Sequence, residues 1–160
     1  TMTQTTIDII PFTPELAEDF KVINQAWIEK YFEVEAEDQR VLNDPKKYLI
    51  DTGGQILFAR NTESGQIIAA CALKKWADDE YELSKMGVLE GNQGSGVGKL
   101  LALAVIEEAK KRGCKRLFLE SNRKLTPAMK LYQNLGFKEF INHESRVDYH
   151  RCDIVMELFL

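Results

Sequence analysis

Three glycines alternate with other residues in the run Gln93-Gly94-Ser95-Gly96-Val97-Gly98-Lys99, between an apolar strand pattern and a long amphipathic helix pattern. Glycine lacks a Cβ, so the backbone can turn tightly here and approach a ligand closely. The first N–H groups of the helix that follows have no acceptor within it and carry the positive end of its dipole. The run therefore reads as an anion cradle, most naturally for phosphates, and it pins a strand–loop–helix unit to the middle of the chain. Two familiar phosphate loops do not fit. A Walker loop needs Gly where Gln93 stands and Ser or Thr where Leu100 stands, the hydroxyl being a magnesium ligand. The dinucleotide fingerprint needs GxGxxG at a first strand–helix turn, whereas this spacing is GxGxG after four strand patterns. Both misses argue against an NTPase and a nicotinamide dehydrogenase.

Around that unit the punctuation is regular. Residues 5–10 read as a short strand, and Thr13-Pro14-Glu15 as a capped helix start. The helix carries Leu16, Phe20, Ile23 and Trp27 at helical spacing and ends near Phe32. A second, more polar helix covers residues 35–42, and Asp44-Pro45 opens a brief turn. Residues 55–60 and 66–76 are apolar strands around the turn Asn61-Thr62-Glu63-Ser64-Gly65, a hairpin signal. A third strand runs over residues 81–88. The helix after the glycines spans residues 96–112 and is stopped by Gly113. A buried strand at 116–120, a helix begun by Thr126-Pro127 and ended at Gly136, and strands at 137–141 and 153–158 complete the order. Hairpins and strand–helix–strand crossovers alternate in this α/β (α+β) chain. They predict one domain over residues 1–160, with a mixed, mostly antiparallel central sheet of about seven strands and helices on both faces.

A chain of 160 residues is large enough to bury a core without staples. Its net charge of −4 offers no basic face for nucleic acid. No apolar run approaches the ~20 residues of a membrane span, and no basic-then-apolar signal segment opens the chain. Cys71, Cys114 and Cys152 are odd in number and far apart, which suits reduced thiols in a cytoplasmic protein. His143 and His150 fall outside any metal spacing, and no metal site is expected.

Three motifs carry a resemblance. Gln93-x-x-Gly96-x-Gly98 is similar to the Q/R-x-x-G-x-G/A signature of the GNAT superfamily of N-acetyltransferases. Glu82-Leu83-Ser84-Lys85-Met86-Gly87-Val88 resembles that family's central strand, and Leu131-Tyr132-x-x-x-Gly136-Phe137 its LY-x-x-x-GF element. They occur in the family's order and cover about residues 81–140. The resemblance implies acetyl-CoA as co-substrate and a small-molecule or peptide amine as acceptor; it also allows a homodimer through the C-terminal strands. It implies that the amides of Gly94, Ser95, Gly96, Val97, Gly98 and Lys99 hold the pyrophosphate. It further implies that Met86, Gly87 and Val88 line the pantetheine arm from a strand splayed away from its neighbour. Asn122 corresponds to an Asn that bonds the pantetheine amides, although its distance to Tyr132 is longer than the common pattern.

Aminolysis of a thioester needs a neutral amine, a polarised carbonyl and a proton for the thiolate. An amine of pKa ~10.4 is neutral in only about one molecule in a few thousand at pH 7, so a base must act. Glu82 matches a glutamate that some members use as base; the bland alternative is a strand carboxylate paired with Lys85. Tyr132, protonated at neutral pH, is the candidate acid, against a plain packing role at a helix end. Glu29, Glu33, Glu35, Glu37 and Asp38, interleaved with Trp27, Tyr31 and Phe32, suggest a surface that attracts a cationic amine; the bland alternative is a solvated helical face. The rival to an enzyme is a domain that binds acyl-CoA without turnover.

Overall fold

The computed structural model describes residues 6–141 and 150–160. The first residue of the predicted opening strand and His143 lie outside those ranges. β1 (Ile7–Pro11) leads through one tight helical turn at Pro14–Leu16 into α1 (Ala17–Tyr31). α2 (Ala36–Asn43) and a wide helical turn at Lys46–Ile50 follow. β2 (Gln55–Asn61), β3 (Ile67–Ala77) and β4 (Glu80–Val88) form a meander, then come α3 (Val97–Lys111) and β5 (Arg116–Ser121). α4 (Thr126–Asn134), β6 (Lys138–Glu139) and β7 (Ile154–Phe159) complete the described chain.

The seven strands make one sheet in the order β1-β2-β3-β4-β5-β7-β6. Every neighbouring pair is antiparallel except β4 with β5. The β2–β3 turn is built as its residues suggest. Asn61 Oδ1 accepts from the N–H groups of Glu63 and Ser64, and Gly65 turns with φ +77°.

Alternation along the strands separates two cores. Ile56, Phe58, Ala70 and Ala72 face α1, where Phe20 meets the Phe58 ring edge-on at 6.4 Å. Leu57, Ala59, Ala69, Cys71 and Leu73 face Leu101, Val105 and Ala109 of α3 on the opposite side. The helices thus cover both faces, and the small residues of β3 let them approach closely. At Gly87 α1 leaves no room for a side chain, because a Cβ there would lie 2.9 Å from both Ile23 Cγ2 and Trp27 Cδ1.

Three local expectations change. Neither Thr13 nor Thr126 caps its helix through its side chain: the first helix starts with a separate tight turn, and the cap position of α4 is Leu125. α2 instead carries a reciprocal cap, with the Glu35 side chain on the Asp38 backbone and Asp38 Oδ2 on the Glu35 N–H at 2.9 Å. The strand predicted over 137–141 shrinks to two residues. Phe137 is held by the helix before it, its N–H donating to Tyr132 O at 3.0 Å and its ring meeting that of Tyr132 at 5.8 Å.

Two irregularities of β4 shape the centre of the molecule. Against β3 its register runs Ala72↔Ser84 and then Ala70↔Gly87, so Lys85 and Met86 oppose Cys71 alone. This is a β-bulge, which bends a strand and ends or redirects its pairing. Against β5 it pairs only at Glu80↔Arg116, Tyr81↔Leu117 and Glu82↔Phe118. Beyond Glu82 the two strands part, although β4 continues to Val88 and β5 to Ser121.

Candidate active site

The parting of β4 and β5 opens a cavity of about 490 Å3 in the middle of the sheet. It reaches from the glycine loop, past the bulge, to the aromatic end of α1. Glu82, Met86, Gly87, Val88, Gln93, Gly94, Gly96, Val97, Gly98, Lys99, Asn122 and Tyr132 all line it. Residues distant in sequence are therefore brought to one space. Ser95 stands apart, its hydroxyl donating to Asn92 O at 2.5 Å within the loop.

At the loop end, Gly94 and Gly96 adopt φ +81° and +85°, a region where a side chain costs roughly 1–2 kcal/mol. Gly96 is the residue from which α3 starts, so the free N–H groups of its first turn open beside the cavity. Gly98 differs: its φ is ordinary and an added Cβ would sit 3.6 Å from Met86 Cε, in normal contact. Glycine is needed for conformation at the first two positions and not at the third.

Glu82 lies where the strands part and is 4% exposed. Burial is the main cause that lifts its carboxyl to about 7; the Trp76 N–H opposes it and the Glu120 charge adds to it. The indole N–H of Trp76 donates to Glu82 Oε1 at 2.9 Å. Lys85 is not its ion-pair partner, because that ammonium goes to Asp38. A carboxyl poised near neutrality can take a proton from an ammonium and release it again. Trp76 and Glu120 were not singled out in the sequence, since nothing in their spacing places them beside Glu82.

Tyr132 is 5% exposed, and burial pushes its phenol well above the ordinary value, so it stays a proton donor. No hydrogen bond of its hydroxyl to the protein is seen among the described residues. Asn122 is more committed. Its Nδ2 donates to Arg151 O at 2.7 Å and its Oδ1 accepts from the Lys124 N–H at 2.9 Å. The carboxamide ties the end of β5 to the chain before β7, which reduces what it can offer a ligand. His150 is exposed, with its N–H on Glu35 Oε1 at 3.1 Å.

The acidic stretch does not form a wall of the cavity. Glu37 pairs with Arg40 at 2.9 Å, Glu29 accepts from Gln25 at 2.8 Å, and Glu33 is exposed. Asp38 is fully buried and takes Lys85 Nζ at 2.9 Å and both Arg151 guanidinium nitrogens at 2.6 Å. Burial would raise the Asp38 carboxyl, but the Arg151 hydrogen bonds and the Lys85 charge overcome it and hold it at about 2. Glu35 and Asp38 are spent on the α2 cap and on the cations of Lys85 and Arg151, and the other three acids lie at the surface. The aromatic side chains do line the cavity, yet the protein's own cations lie over all three: Arg151 over Trp27 at 5.7 Å, Lys30 over Tyr31 at 5.3 Å and Lys124 over Phe32 at 4.2 Å.

This geometry has known counterparts. The sequence profile described as "Acetyltransferase (GNAT) family" matches residues 18–137. The uncharacterized N-acetyltransferase YjgM of Escherichia coli is 43% identical over 60 residues, 38% of this chain and 36% of that protein. An uncharacterized N-acetyltransferase of Mycobacterium bovis is 33% identical over 111 residues, covering 69% of this chain and 70% of that one. The [Ribosomal protein bS18]-alanine N-acetyltransferase of Escherichia coli is 33% identical over 116 residues, 71% of this chain and 78% of that one. Among solved structures, a GNAT-family acetyltransferase of Staphylococcus aureus superimposes with TM-score 0.84 at 22% identity, covering 95% of this chain and 98% of that one. The yncA structure of Salmonella typhimurium, solved with its cofactor acetyl-CoA, gives 0.72 at 18% identity over 96% and 94% of the two chains. With splayed central strands, a glycine loop at the head of α3 and a profile match over residues 18–137, the protein belongs to the acetyltransferase (GNAT) family.

Proposed function

We propose that this protein transfers the acetyl group of acetyl-CoA to a primary amine, small-molecule or peptide, by direct attack in a ternary complex. The observation that carries the reading is the single cavity joining an anion cradle to a neutral-range carboxyl and a buried phenol. The site suits the co-substrate: the α3 amides and Lys99 answer the pyrophosphate, and the strand edge left open beyond Glu82 answers the amides of the pantetheine arm. Acetyl-CoA supplies the activated acyl carbon.

Glu82 accepts a proton from the incoming ammonium, freeing the nitrogen lone pair for the carbonyl carbon. A backbone N–H of the Met86–Val88 stretch faces the oxygen on which negative charge develops. As the C–N bond forms and the C–S bond breaks, Tyr132 gives its proton to the departing sulfur. The second proton shed by the nitrogen passes to solvent, and Tyr132 is reprotonated. The products are an amide and free CoA thiol, and no bond to the enzyme forms.

The test is free-thiol release from acetyl-CoA over a broad amine library, with thermal shift by acetyl-CoA, ATP and NAD in parallel. Stabilisation by acetyl-CoA alone, with thiol release dependent on one class of amine, is expected. Stabilisation without turnover of any amine would leave only a binding domain.

A further inference from the structure

Lys85 is the only non-glycine among the described residues with positive φ, at +51°. A lysine gains nothing locally from the left-handed region, so its surroundings must hold it there. The position is also the bulge of β4, where two residues face Cys71. The Lys85 side chain is 3% exposed and ends on Asp38, which is 0% exposed. Asp38 belongs to α2 and is gripped from two further sides, by its own cap bond to Glu35 and by the fork of Arg151 just before β7. Three separate segments therefore meet on one carboxylate, and one of them is the bulge. The next residues along β4, Met86 to Val88, line the cavity beyond the bulge. Gly87 adds a second constraint, since α1 packs too closely there for any side chain.

We infer that the Asp38–Lys85–Arg151 cluster is a lock that sets the bulge of β4 and so aims the following amides at the thioester carbonyl. Lys85 and Asp38 are then positioning residues, with no contact to the reacting atoms. The lock rests on the acetyltransferase reading above. It predicts a division of effects, because the anion cradle at α3 does not depend on it. Releasing the lock should leave the hold on acetyl-CoA intact and misplace the carbonyl, an error that costs turnover.

Lys85→Met keeps the stem, removes the ammonium and leaves Asp38 paired with Arg151. Two readouts are taken on parent and variant. One is kcat alongside the acetyl-CoA Kd. The other is the 13C resonance of bound acetyl-CoA labelled at the thioester carbon, which needs no acceptor. In the parent the resonance should move downfield on binding as the amide polarises the carbonyl. In Lys85→Met it should return toward its free position, kcat should fall roughly ten- to a hundredfold, and the Kd should stay within about threefold. A variant with the parent's resonance and kcat would overturn the lock. So would a loss of acetyl-CoA affinity matching the loss of kcat, which is the mark of general loosening. If Lys85→Met does not fold, Lys85→Gly takes its place, because glycine adopts this φ freely and still lacks the ammonium. Parent-like turnover there would overturn the lock in favour of local backbone shape. Failure of the parent to bind acetyl-CoA would overturn both this inference and the proposed function; normal turnover with an indifferent variant overturns this one alone.

Discussion

At one end of the cavity the working parts are neighbours in sequence, residues 93–99, and their shape follows from glycines and a helix start. At the other end Trp27, Asp38, Lys85 and Arg151 come from four segments, and the Asp38–Arg151 contact spans 113 residues. The anion site proposed at the first end needs no side-chain partner from elsewhere in the fold, since its donors are backbone amides. The second depends on buried ions, where removing one partner strands the other and costs about 3–5 kcal/mol. Changes at the loop should therefore act on acetyl-CoA binding, and changes at the far end on chemistry, folding or the acceptor.

The hardest test of that division is Gly96→Asp. It forces a side chain to φ +85° and adds a negative charge among the amides proposed to hold the pyrophosphate. A Cβ there meets nothing within 4 Å, so the fold should survive. The melting shift caused by acetyl-CoA should vanish; an undiminished shift would remove the loop from the binding site.

Next in size is Tyr132→Phe. The ring still packs on Phe137, and no protein hydrogen bond of the hydroxyl is lost among the described residues. Turnover should drop roughly ten- to a thousandfold at unchanged acetyl-CoA affinity, the scale of a lost general acid. Equal thiol release with chemistry rate-limiting would leave Tyr132 a packing residue.

Glu82→Gln should cost roughly ten- to a hundredfold and change the pH profile. With the carboxyl lifted to about 7, the base form grows as pH rises, so the parent's kcat/KM should climb through neutrality. The variant should lose that limb and keep only the rise due to the amine itself. Superimposable profiles would give the base role to another group.

Asp38 makes a smaller, far-end prediction in stability. Its folded value of about 2 lies below the ordinary 3.8. The folded state therefore binds this proton less tightly than the unfolded chain does. Its contribution is complete above about pH 4 and is lost as pH falls through about 2. Acid titration of the melting temperature should show this for the parent, and a shallower decline for Arg151→Gln, whose Asp38 keeps fewer partners.

The smallest effect belongs to the acidic stretch. Reversing Glu33 and Glu37 to Lys should change the acceptor KM by less than about twofold, as expected of charges outside the cavity that salt screens. A large rise in KM would restore that surface to acceptor recognition.

Much was legible in the sequence because it was local. Glycine at 94 and 96, the alternation in residues 55–88 and the helical spacing after Gly96 each act over a few residues, and their meaning does not change with the fold. Glu82 and Tyr132 were reachable because they stand inside recognisable runs. Asp38 was visible only as one acid among several. The carboxylate, ammonium and guanidinium that meet behind the bulge carry no mutual spacing to read. A sequence shows that Lys85 is charged, but burial decides that it must find a counter-ion. Which carboxylate answers, Glu82 or Asp38, was settled by the direction in which the bulge turns the side chain.

The sequence by itself determined the element order, the two-faced sheet and the glycine loop at the head of α3, since backbone preference and hydrophobic period are properties of short windows. Only the tertiary structure decided where β4 leaves β5, how high the Glu82 carboxyl titrates and which acids are consumed by internal cations. Those outcomes depend on desolvation and on charges brought within about 3 Å of one another, and neither exists until the chain has folded.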